Sequence, residues 1–527
     1  MATPQEKLAN SLEVLKALQD RGAIAIRSAD LSAVHRRRLV KHGFLQEVMK
    51  GWYIPARPDG SPGDSTAWYA SFWEFCAAYL QARFGKQWCL SPECSLSLHT
   101  QNYTVPRQLL VRSPKGGNKV MPLPHGTSLF DVRSILPRRN DVHEQDGLRL
   151  FALPQALIAS SPGFFQANPT DARAALALVR DASVILGPLL EGGHSKVAGR
   201  LAGGFRNIGR DRIADDIVAA MRAADYVVHE HDPFATKLSL ALPKREVSPY
   251  AGRIRLIWQQ MRSAVSDVFP ASPGKPKDSN AYLRRVQEAY VTDAYHSLSI
   301  EGYRVSPALI DGVRGGNWDP DNDTQDKDHR NALAARGYWQ SFQAVQRSLT
   351  RVLRGENAGK VVDDDHGAWY REMFAPGVAA GLLRPVDLAG YRNAPVYIKR
   401  SMHVPPRFEA VPDAMSVFFE MLQQETDAAV RVVLGHFVFV YIHPYMDGNG
   451  RTGRFLMNVM MAAGGYPWTV IPLGRRDAYM AALEEASANQ NIVPFARFLG
   501  QLVKEGLRGK QAAELPPDDE SASLPSS

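Results

Sequence analysis

Residues 443–454 read HPYMDGNGRTGR, and this stretch decides how the second half of the chain folds. The residues before it, AAVRVVLGHFVFVYI, are an apolar run too long for a typical strand, which predicts a buried helix. Pro444 ends that helix directly after His443. Residues 448–450 then form a loop, and a second helical pattern runs to Gly464 and Gly465. The stretch is therefore predicted to join two helices.

The residue types in this joint are those that bind phosphate. Glycines at a helix amino terminus let unpaired amides approach an anion, and the helix dipole favours negative charge there. Arg451 and Arg454 lie three apart on one helix face and can reach successive phosphates. Asp447 offers a carboxylate for Mg²⁺, and His443 is a proton acceptor near neutral pH. Together they indicate phosphoryl or nucleotidyl transfer to a hydroxyl.

HPYMDGNGRTGR is similar to the signature of the Fic (filamentation induced by cAMP) family, HPFxDGNGRxxR, except that Tyr445 replaces phenylalanine. The similarity covers about residues 253–505 and implies an all-α Fic fold. It implies an enzyme that moves AMP from ATP to a Ser, Thr or Tyr hydroxyl of a target protein or of itself. In that family His443 would be the base and Asp447 the Mg²⁺ ligand. The nucleotide would be bound by Gly448, Asn449, Gly450, Arg451 and Arg454.

The identity of the transferred group stays partly open. The kinase-type branch of the family has Ala and Lys where this chain has Gly448 and Arg451, so that branch is disfavoured. The pocket for the base lies outside the motif, and transfer of UMP or phosphocholine remains an alternative.

SLSIEG, residues 297–302, resembles the inhibitory pattern [S/T]xxxE[G/N] of the same family. Ser297 and Glu301 are i and i+4 on a helix predicted near residues 281–302, ending at Gly302, and therefore share a face. The resemblance implies that Glu301 pairs with Arg454 and takes the place of the γ-phosphate. The same glutamate could instead orient a water that removes AMP from the target.

GYRNAPVYIKRSMHVPP, residues 390–406, resembles the β-hairpin flap over the Fic active site, where an extended target segment adds to a strand edge. The alternative is a loop with aromatic packing. The residues expected to dock the target are Tyr391, Arg392, Val396, Tyr397 and Ile398.

Residues 1–57 predict a winged helix-turn-helix. A helix over residues 5–20 is followed by the strand-like GAIAI, a helix from about Leu31, and two short strands joined at Lys50 and Gly51. Leu31, Val34, Leu39 and Val40 are expected to form the buried face of the second helix.

Basic residues are concentrated in this first segment. It contains ten Lys and Arg against five acids, which is more than half of the net charge of +8 in about a tenth of the chain. A basic second helix in this fold can enter the major groove of DNA; the alternative is a solvated helix face. The predicted DNA contacts are His35, Arg36, Arg37, Arg38, Lys41 and Lys50.

The remaining organisation is multidomain and mainly α-helical. Residues 1–230 resemble AbiEi-like antitoxins and transcriptional regulators, through the run from GAIAI to GWYIP and through FALPQALIASSPGF, which implies an α/β regulator-like domain over residues 58–230. Residues 231–252 are predicted to be a linker, and residues 506–527 a disordered tail. No apolar run is long enough to cross a bilayer and the amino terminus lacks a signal-peptide pattern, so we expect a cytoplasmic protein. The three cysteines show no metal-ligand spacing.

Three functions compete at this point. The first is an AMP transferase whose amino-terminal half binds DNA. The second is a DNA-binding regulator or antitoxin-like protein whose Fic domain is a sensor or is silent, although the complete motif argues against a silent site. The third is a Fic enzyme whose amino-terminal half docks a protein target. The sequence leaves the target, the DNA site and self-association open.

Overall fold

The computed structural model describes residues 3–58, 63–236, 248–316, 326–510 and 513–516, without the side chains of residues 326–328. The chain divides into two compact units. The first comprises Met1–Arg253 and Tyr397–Pro405, and the second comprises Ile254–Val396 and Pro406–Ser527. Each unit is considered by itself below.

The amino-terminal end of the first unit has the element order that the sequence predicts. Its elements are α1 (Pro4–Gln19), β1 (Ile26–Arg27), α2 (Ala33–Lys41), β2 (Leu45–Met49) and β3 (Trp52–Pro55), and the three antiparallel strands form a sheet in the order β1-β3-β2. Thr3 caps α1 in a capping box with Glu6, and Ser32 caps α2.

The predicted boundary at residue 57 does not separate two cores. A small cluster around Leu15, Ile26 and Leu39 lies between α1, α2 and the sheet. Ile54 of β3, however, belongs to the larger cluster that is centred on the next helix. The winged segment and the following domain are therefore packed together through β3.

The rest of the first unit contains strands and then helices, as expected for the α/β region. The strands and their helices are α3 (Thr66–Phe84), β4 (Cys89–Leu90), α4 (Pro92–His99), β5 (Gln108–Ser113), β6 (Lys119–Pro122), β7 (Ser128–Arg133), β8 (Val142–Gln145) and β9 (Leu148–Phe151). Four of the strands form a sheet in the order β4-β5-β7-β6, in which β5 and β7 are parallel, and β8 and β9 form a hairpin. The helices that follow are α5 (Leu153–Ala159), α6 (Pro162–Ala167), α7 (Pro169–Leu178), α8 (Ser183–Gly192), α9 (Ser195–Asn207) and α10 (Asp211–Ala223).

The predicted linker, residues 231–252, is only partly within the described residues. Residues 237–247 lie outside them. The described ends are packed: Phe234 and Tyr250 are buried, and Arg253 forms a buried ion pair with Asp171 of α7. The described parts of this segment therefore belong to the core of the first unit.

The second unit consists of helices, as predicted. They are α11 (Pro249–Val268), whose first turn lies in the first unit, α12 (Ser279–Glu288), α13 (Tyr290–Ile300), α14 (Pro307–Arg314), α15 (Asp326–Leu353), α16 (Ala358–Ala379), α17 (Val411–Gln424), α18 (Ala428–Ile442), α19 (Asn449–Gly464), α20 (Arg476–Ala488) and α21 (Val493–Leu507). Nearly every residue of α18 and α19 is buried, so these two helices form the centre of the unit. None of the helices in the described residues is long and apolar enough to cross a membrane.

Two predictions about this half of the chain were wrong in detail. Residues 390–406 contain no strand, so the predicted β-hairpin flap is an extended loop. Its part Tyr397–Pro405 packs within the first unit, where the amide of Val105 donates to the Met402 carbonyl.

The predicted disordered tail contains ordered residues, because Ala513 is buried and His296 of α13 shares a hydrogen bond with the Glu514 carbonyl. Residues 517–527 lie outside the described part.

Candidate functional site

The turn between α18 and α19 is built by two residues in the left-handed backbone conformation. His443 ends α18 with φ 54° and ψ 61°, and Gly448 precedes α19 with φ 77°. A Cβ atom at Gly448 would lie 2.8 Å from the ring of Phe374, so glycine is required there both by its φ angle and by the close approach of that ring. The motif glycine therefore fixes where α19 begins.

Asn449 stabilises this turn from within. Its side-chain oxygen accepts from the Tyr445 amide and its side-chain nitrogen donates to the Tyr445 carbonyl, both at 2.8 Å. Tyr445 is buried and stacks on Tyr370, with ring centroids 3.9 Å apart. The aromatic ring at the position that differs from the signature is thus an anchor. The Asn449 side chain therefore holds the loop through both of its polar atoms.

The start of α19 presents several hydrogen-bond donors without acceptors. The first-turn amides of a helix have no intrahelical partner, and Gly448 supplies no capping side chain. Two guanidinium atoms in the same place, Nε of Arg451 and Nη1 of Arg454, are buried and lack a hydrogen-bond partner among the described residues. Buried polar groups are rarely left unpaired. This arrangement fits an anion with several oxygen atoms.

Arg451 is held in place by aromatic rings. Its guanidinium lies 5.2 Å from the ring centroid of Tyr303 and 5.1 Å from that of Phe374, and only 1% of its surface is exposed. One Nη2 hydrogen bond of 3.3 Å reaches Asp447 Oδ1. Sequence reasoning missed both rings, because neither belongs to the motif.

Glu301 lies beside the loop and contacts Arg454, as the resemblance of SLSIEG to the inhibitory pattern implies. Arg454 Nη2 donates to Glu301 Oε1 at 2.7 Å, and Arg454 Nε donates to Ser297 Oγ at 2.9 Å. A Cβ atom at Gly450 would lie 2.3 Å from Glu301 Oε1, so the carboxylate lies directly against the backbone of the first turn of α19. Gly302, with φ 87°, follows immediately. The structure therefore brings Ser297, Glu301 and Arg454 together.

The ionisation of Glu301 is set by two opposing effects. Burial raises the pKa of its carboxyl, but the charges of Arg454 and Arg451 outweigh burial and leave the pKa below its ordinary value. The carboxylate is consequently ionised near neutral pH. The Glu301 carboxylate is therefore an anion that lies beside the unpaired donors at the start of α19.

His443 has one ring nitrogen engaged. Nδ1 is 3.2 Å from the Val440 carbonyl, which accepts a hydrogen bond from the Nδ1–H group, so Nε2 is the nitrogen left to act as a base. Burial, followed by the charge of Arg392, lowers the His443 pKa to about 4. The imidazole is therefore neutral at physiological pH and able to accept a proton.

Asp447 is the exposed carboxylate of the site. Its side chain is 65% exposed, and besides Arg451 it accepts from the Gly448 amide at 2.5 Å. No group of three or more His, Cys, Asp or Glu side chains with metal-binding geometry occurs in the described residues. One carboxylate beside a phosphate site suits Mg²⁺, which takes few protein ligands and completes its shell with water and phosphate oxygens.

The five predicted docking residues have different environments. Tyr391 shares a hydrogen bond of 3.1 Å with the ring of His366, and Arg392 is 4% exposed and directed inward. Val396 and Ile398 are half-buried, and Tyr397 is 40% exposed. Arg392 thus has the contacts of a residue that holds the loop. Its side chain does not face outward to a docked segment.

The six predicted DNA contacts, five on α2 and Lys50 in the turn between β2 and β3, divide into two sets. His35 shares a hydrogen bond with Ser11 of α1, while Arg36 and Arg38 donate to backbone carbonyls of the first unit at 2.8 and 2.7 Å. These three side chains are at least partly engaged in holding α2.

The other set faces outward. Arg37, Lys41 and Lys50 are exposed, and they share the surface with Val34 and Val40, which are 62% and 40% exposed. The predicted buried face of this helix is confirmed for Leu31 and Leu39, which are buried, and wrong for Val34 and Val40, which are exposed. The outer face of α2 therefore combines two cations with two β-branched apolar side chains.

Comparison with known proteins gives the same assignment as the motif. Residues 365–461 match the Fic/DOC family. Curated relatives include "Protein adenylyltransferase Fic" of Drosophila willistoni, 29% identical over 253 residues that make up 47% of each chain, and the protein of the same name of Drosophila grimshawi, 30% identical over 235 residues that make up 44% of this chain and 45% of the relative. The chain thus spans about half the length of the curated relatives that it matches.

Solved structures similar to this chain include Fic-1 from C. elegans, with 19% identity, 65% of this chain and 97% of that chain covered, and a TM-score of 0.36. A Fic domain containing signaling protein from Bacteroides thetaiotaomicron has 17% identity, with 49% of this chain and 100% of that chain covered and a TM-score of 0.35. These scores are low, and the assignment rests on the motif and on the family match. The carboxyl-terminal half of this chain contains a Fic domain.

Proposed function

We propose that this protein is a protein adenylyltransferase that moves AMP from ATP to a Ser, Thr or Tyr hydroxyl of a target protein or of itself, and that Glu301 restrains it. The observation that carries this proposal is the group of unpaired donors at the start of α19, with a neutral His443 at the end of α18. The name of the curated relatives, protein adenylyltransferase, supports the same activity.

The reaction follows from the placement of these groups. The triphosphate of ATP lies along the first turn of α19, where amides and the guanidinium groups of Arg451 and Arg454 bind its oxygens. The target hydroxyl gives its proton to His443 Nε2, and its oxygen attacks the α-phosphorus. A bond from that oxygen to phosphorus forms, the bond between the α-phosphorus and the bridging oxygen breaks, and pyrophosphate leaves.

Asp447 is the residue that would hold Mg²⁺. The ion, when bound, neutralises phosphate charge and so favours departure of pyrophosphate. The Asp447 side chain is 65% exposed, and its hydrogen bonds within the described residues go through Oδ1, which leaves Oδ2 for a metal ion.

The restraint follows from competition for Arg454. The guanidinium that would bind the end of the triphosphate already donates to Glu301 and Ser297. ATP in the productive position must break the contact between Arg454 and Glu301. The terminal phosphate of ATP and the Glu301 carboxylate also repel each other, because both are negatively charged. Glu301 therefore lowers the rate at which ATP is used.

The site of bond cleavage can be tested with labelled nucleotide. Glu301→Gly protein is incubated with Mg²⁺ and ATP labelled either at the α- or at the γ-phosphate, and protein-bound label is measured. Transfer of label from the α-position alone is the expected result. Label from the γ-position would show phosphoryl transfer and would overturn the assignment. The same assay with UTP tests the alternative nucleotide, and release of AMP from labelled protein tests the alternative that Glu301 serves removal.

A second function, DNA binding by the amino-terminal segment, is favoured by the outer face of α2. Arg37 and Lys41 can reach phosphates or base edges there, and Val34 and Val40 can contact thymine methyl groups. Lys50, in the turn between β2 and β3, can contact the phosphate backbone of DNA. A regulator whose Fic domain senses nucleotide, or a protein-docking role for this face, would use the same surface differently.

Salt dependence separates DNA binding, which the transferase and the regulator alternatives share, from protein docking. We expect binding to mixed-sequence duplex DNA to weaken steeply between 50 and 200 mM salt, since each phosphate contact releases counterions. Each contact should add roughly −0.9 to the slope of the logarithm of the binding constant against the logarithm of the salt concentration. Arg37→Ala should lower affinity and slope, whereas Lys86→Ala, which removes an exposed lysine after α3, should change neither. DNA binding that is absent or independent of salt would contradict the proposal and favour protein docking.

A further inference from the structure

The backbone of His443 requires an external support. Its left-handed conformation costs a non-glycine residue energy, and the proline that follows restricts it further. The ring bond from Nδ1 to the Val440 carbonyl fixes the imidazole only if the backbone stays in this conformation. Something must therefore hold the two peptide groups that follow His443.

Arg392 provides this support. Its Nε donates to the His443 carbonyl at 2.8 Å, and its backbone amide donates to the Pro444 carbonyl at 2.9 Å. One residue thus binds two successive carbonyls at the strained joint. With 4% of its surface exposed, Arg392 makes these bonds out of water, where they are stronger.

The same guanidinium closes the loop that begins at Arg392. Nη1 donates to the Ala394 carbonyl at 3.3 Å, and Nη2 donates to the Pro406 carbonyl. The three nitrogens of one planar group therefore connect the joint after His443 with the beginning and the end of the segment 392–406. Lysine has a single nitrogen and cannot bind three carbonyls in these directions.

We propose that Arg392 is a positioning residue for the transfer reaction, which fixes the backbone of His443 and links it to the chain at Ala394 and Pro406. This inference rests on the proposed function, because it concerns the same reaction. It assigns Arg392 a different part from target docking. The charge of Arg392 acts in the same direction as burial on the pKa of His443, while Glu301 and Asp447 oppose it.

The test uses full-length protein in which Glu301→Gly has removed the restraint, with Arg392→Met and Arg392→Lys added singly. The maximal rate of self-labelling, the ATP concentration for half-maximal rate, the Kd for ATP and the Tm are measured. We expect the maximal rate to fall about 100-fold in both variants, the usual effect of displacing a catalytic group by about 1 Å. The half-saturating ATP concentration should change less than about threefold, because the phosphate site on α19 does not include Arg392.

Arg384→Met is the matched control, since Arg384 is an exposed arginine eight residues earlier that pairs with Asp387. It should leave all four quantities unchanged. An unchanged maximal rate in Arg392→Met would overturn the inference. So would recovery of the rate in Arg392→Lys, which would show that charge alone matters, or parallel loss of rate, ATP affinity and Tm, which would show a general structural role. If the Glu301→Gly parent does not label itself, the proposed function fails before Arg392 is in question.

Discussion

Replacing Glu301 with glycine should raise the rate of AMP transfer, and the structure gives an estimate of how much. Glu301 accepts one charged hydrogen bond of 2.7 Å from Arg454, whose side chain is 4% exposed, while the carboxylate itself is 28% exposed. Hydrogen bonds to charged groups contribute about 1.5–3 kcal/mol. ATP must displace this contact, so its removal should increase transfer at subsaturating ATP by about 10- to 150-fold, at 1.4 kcal/mol per tenfold.

The assay is incorporation of label from ATP at a concentration well below saturation, with Glu301→Gln and Glu288→Gln as comparison variants. Glu301→Gln keeps the shape and one acceptor but loses the charge, so its rate should lie between those of the parent and Glu301→Gly. Glu288→Gln, which alters an exposed carboxylate on α12, should be silent. A second readout is the rise in Tm on adding ATP, which should be larger in Glu301→Gly because Arg454 then has no protein carboxylate to pair with. Equal rates in the parent and Glu301→Gly would refute the reasoning.

Three further outcomes follow from the site. His443→Ala in the Glu301→Gly background should lower transfer by about 10²- to 10⁴-fold, as expected for loss of a general base, with the Kd for ATP unchanged in a direct binding measurement. In the same Glu301→Gly background, protonation of His443 should not lower kcat/KM for ATP between pH 8 and pH 5.5. Burial places the His443 pKa at about 4, so the neutral form that accepts the proton persists over this range. A decrease centred near pH 6.5 would show that the histidine pKa is not shifted. Gly448→Ala should lower the free energy of unfolding of the Fic domain by about 1–3 kcal/mol and weaken ATP binding, since φ is 77° and the added Cβ meets Phe374; in urea denaturation Gly474→Ala, where an added Cβ meets nothing, is the control.

The joint between α18 and α19 could be predicted from sequence because its signals are local. An apolar run, a proline and closely spaced glycines fix two helix ends within a few residues. Glu301 and Arg454, in contrast, are 153 positions apart in the sequence. Their pairing is not a local feature. It was predicted only through resemblance to the family, since nothing local in SLSIEG indicates which side chain it meets.

Other features of the site depend on tertiary packing alone. The rings of Tyr303 and Phe374 enclose Arg451, yet neither residue stands in a recognisable pattern. The sequence GYRNAPVYI does not predict that the Arg392 side chain points inward, because an arginine beside alternating apolar residues is expected to face solvent. On α2, hydrophobicity predicts Val34, Leu39 and Val40 on one buried face, but only Leu39 of these three is buried in the structure. An apolar residue is not always buried, so hydrophobicity alone does not predict which apolar side chains of a helix face the core.

AMP transfer that uses His443 as the base and is restrained by Glu301 is tested most directly by the intact mass of purified Glu301→Gly protein, alone and with His443→Ala. The protein is incubated with Mg²⁺ and ATP, and a second sample also contains an acceptor protein mixture. We predict a gain of one or more AMP groups on a Ser, Thr or Tyr side chain in Glu301→Gly and none in the double variant. Modification that persists without His443, or an added group other than AMP, would contradict it.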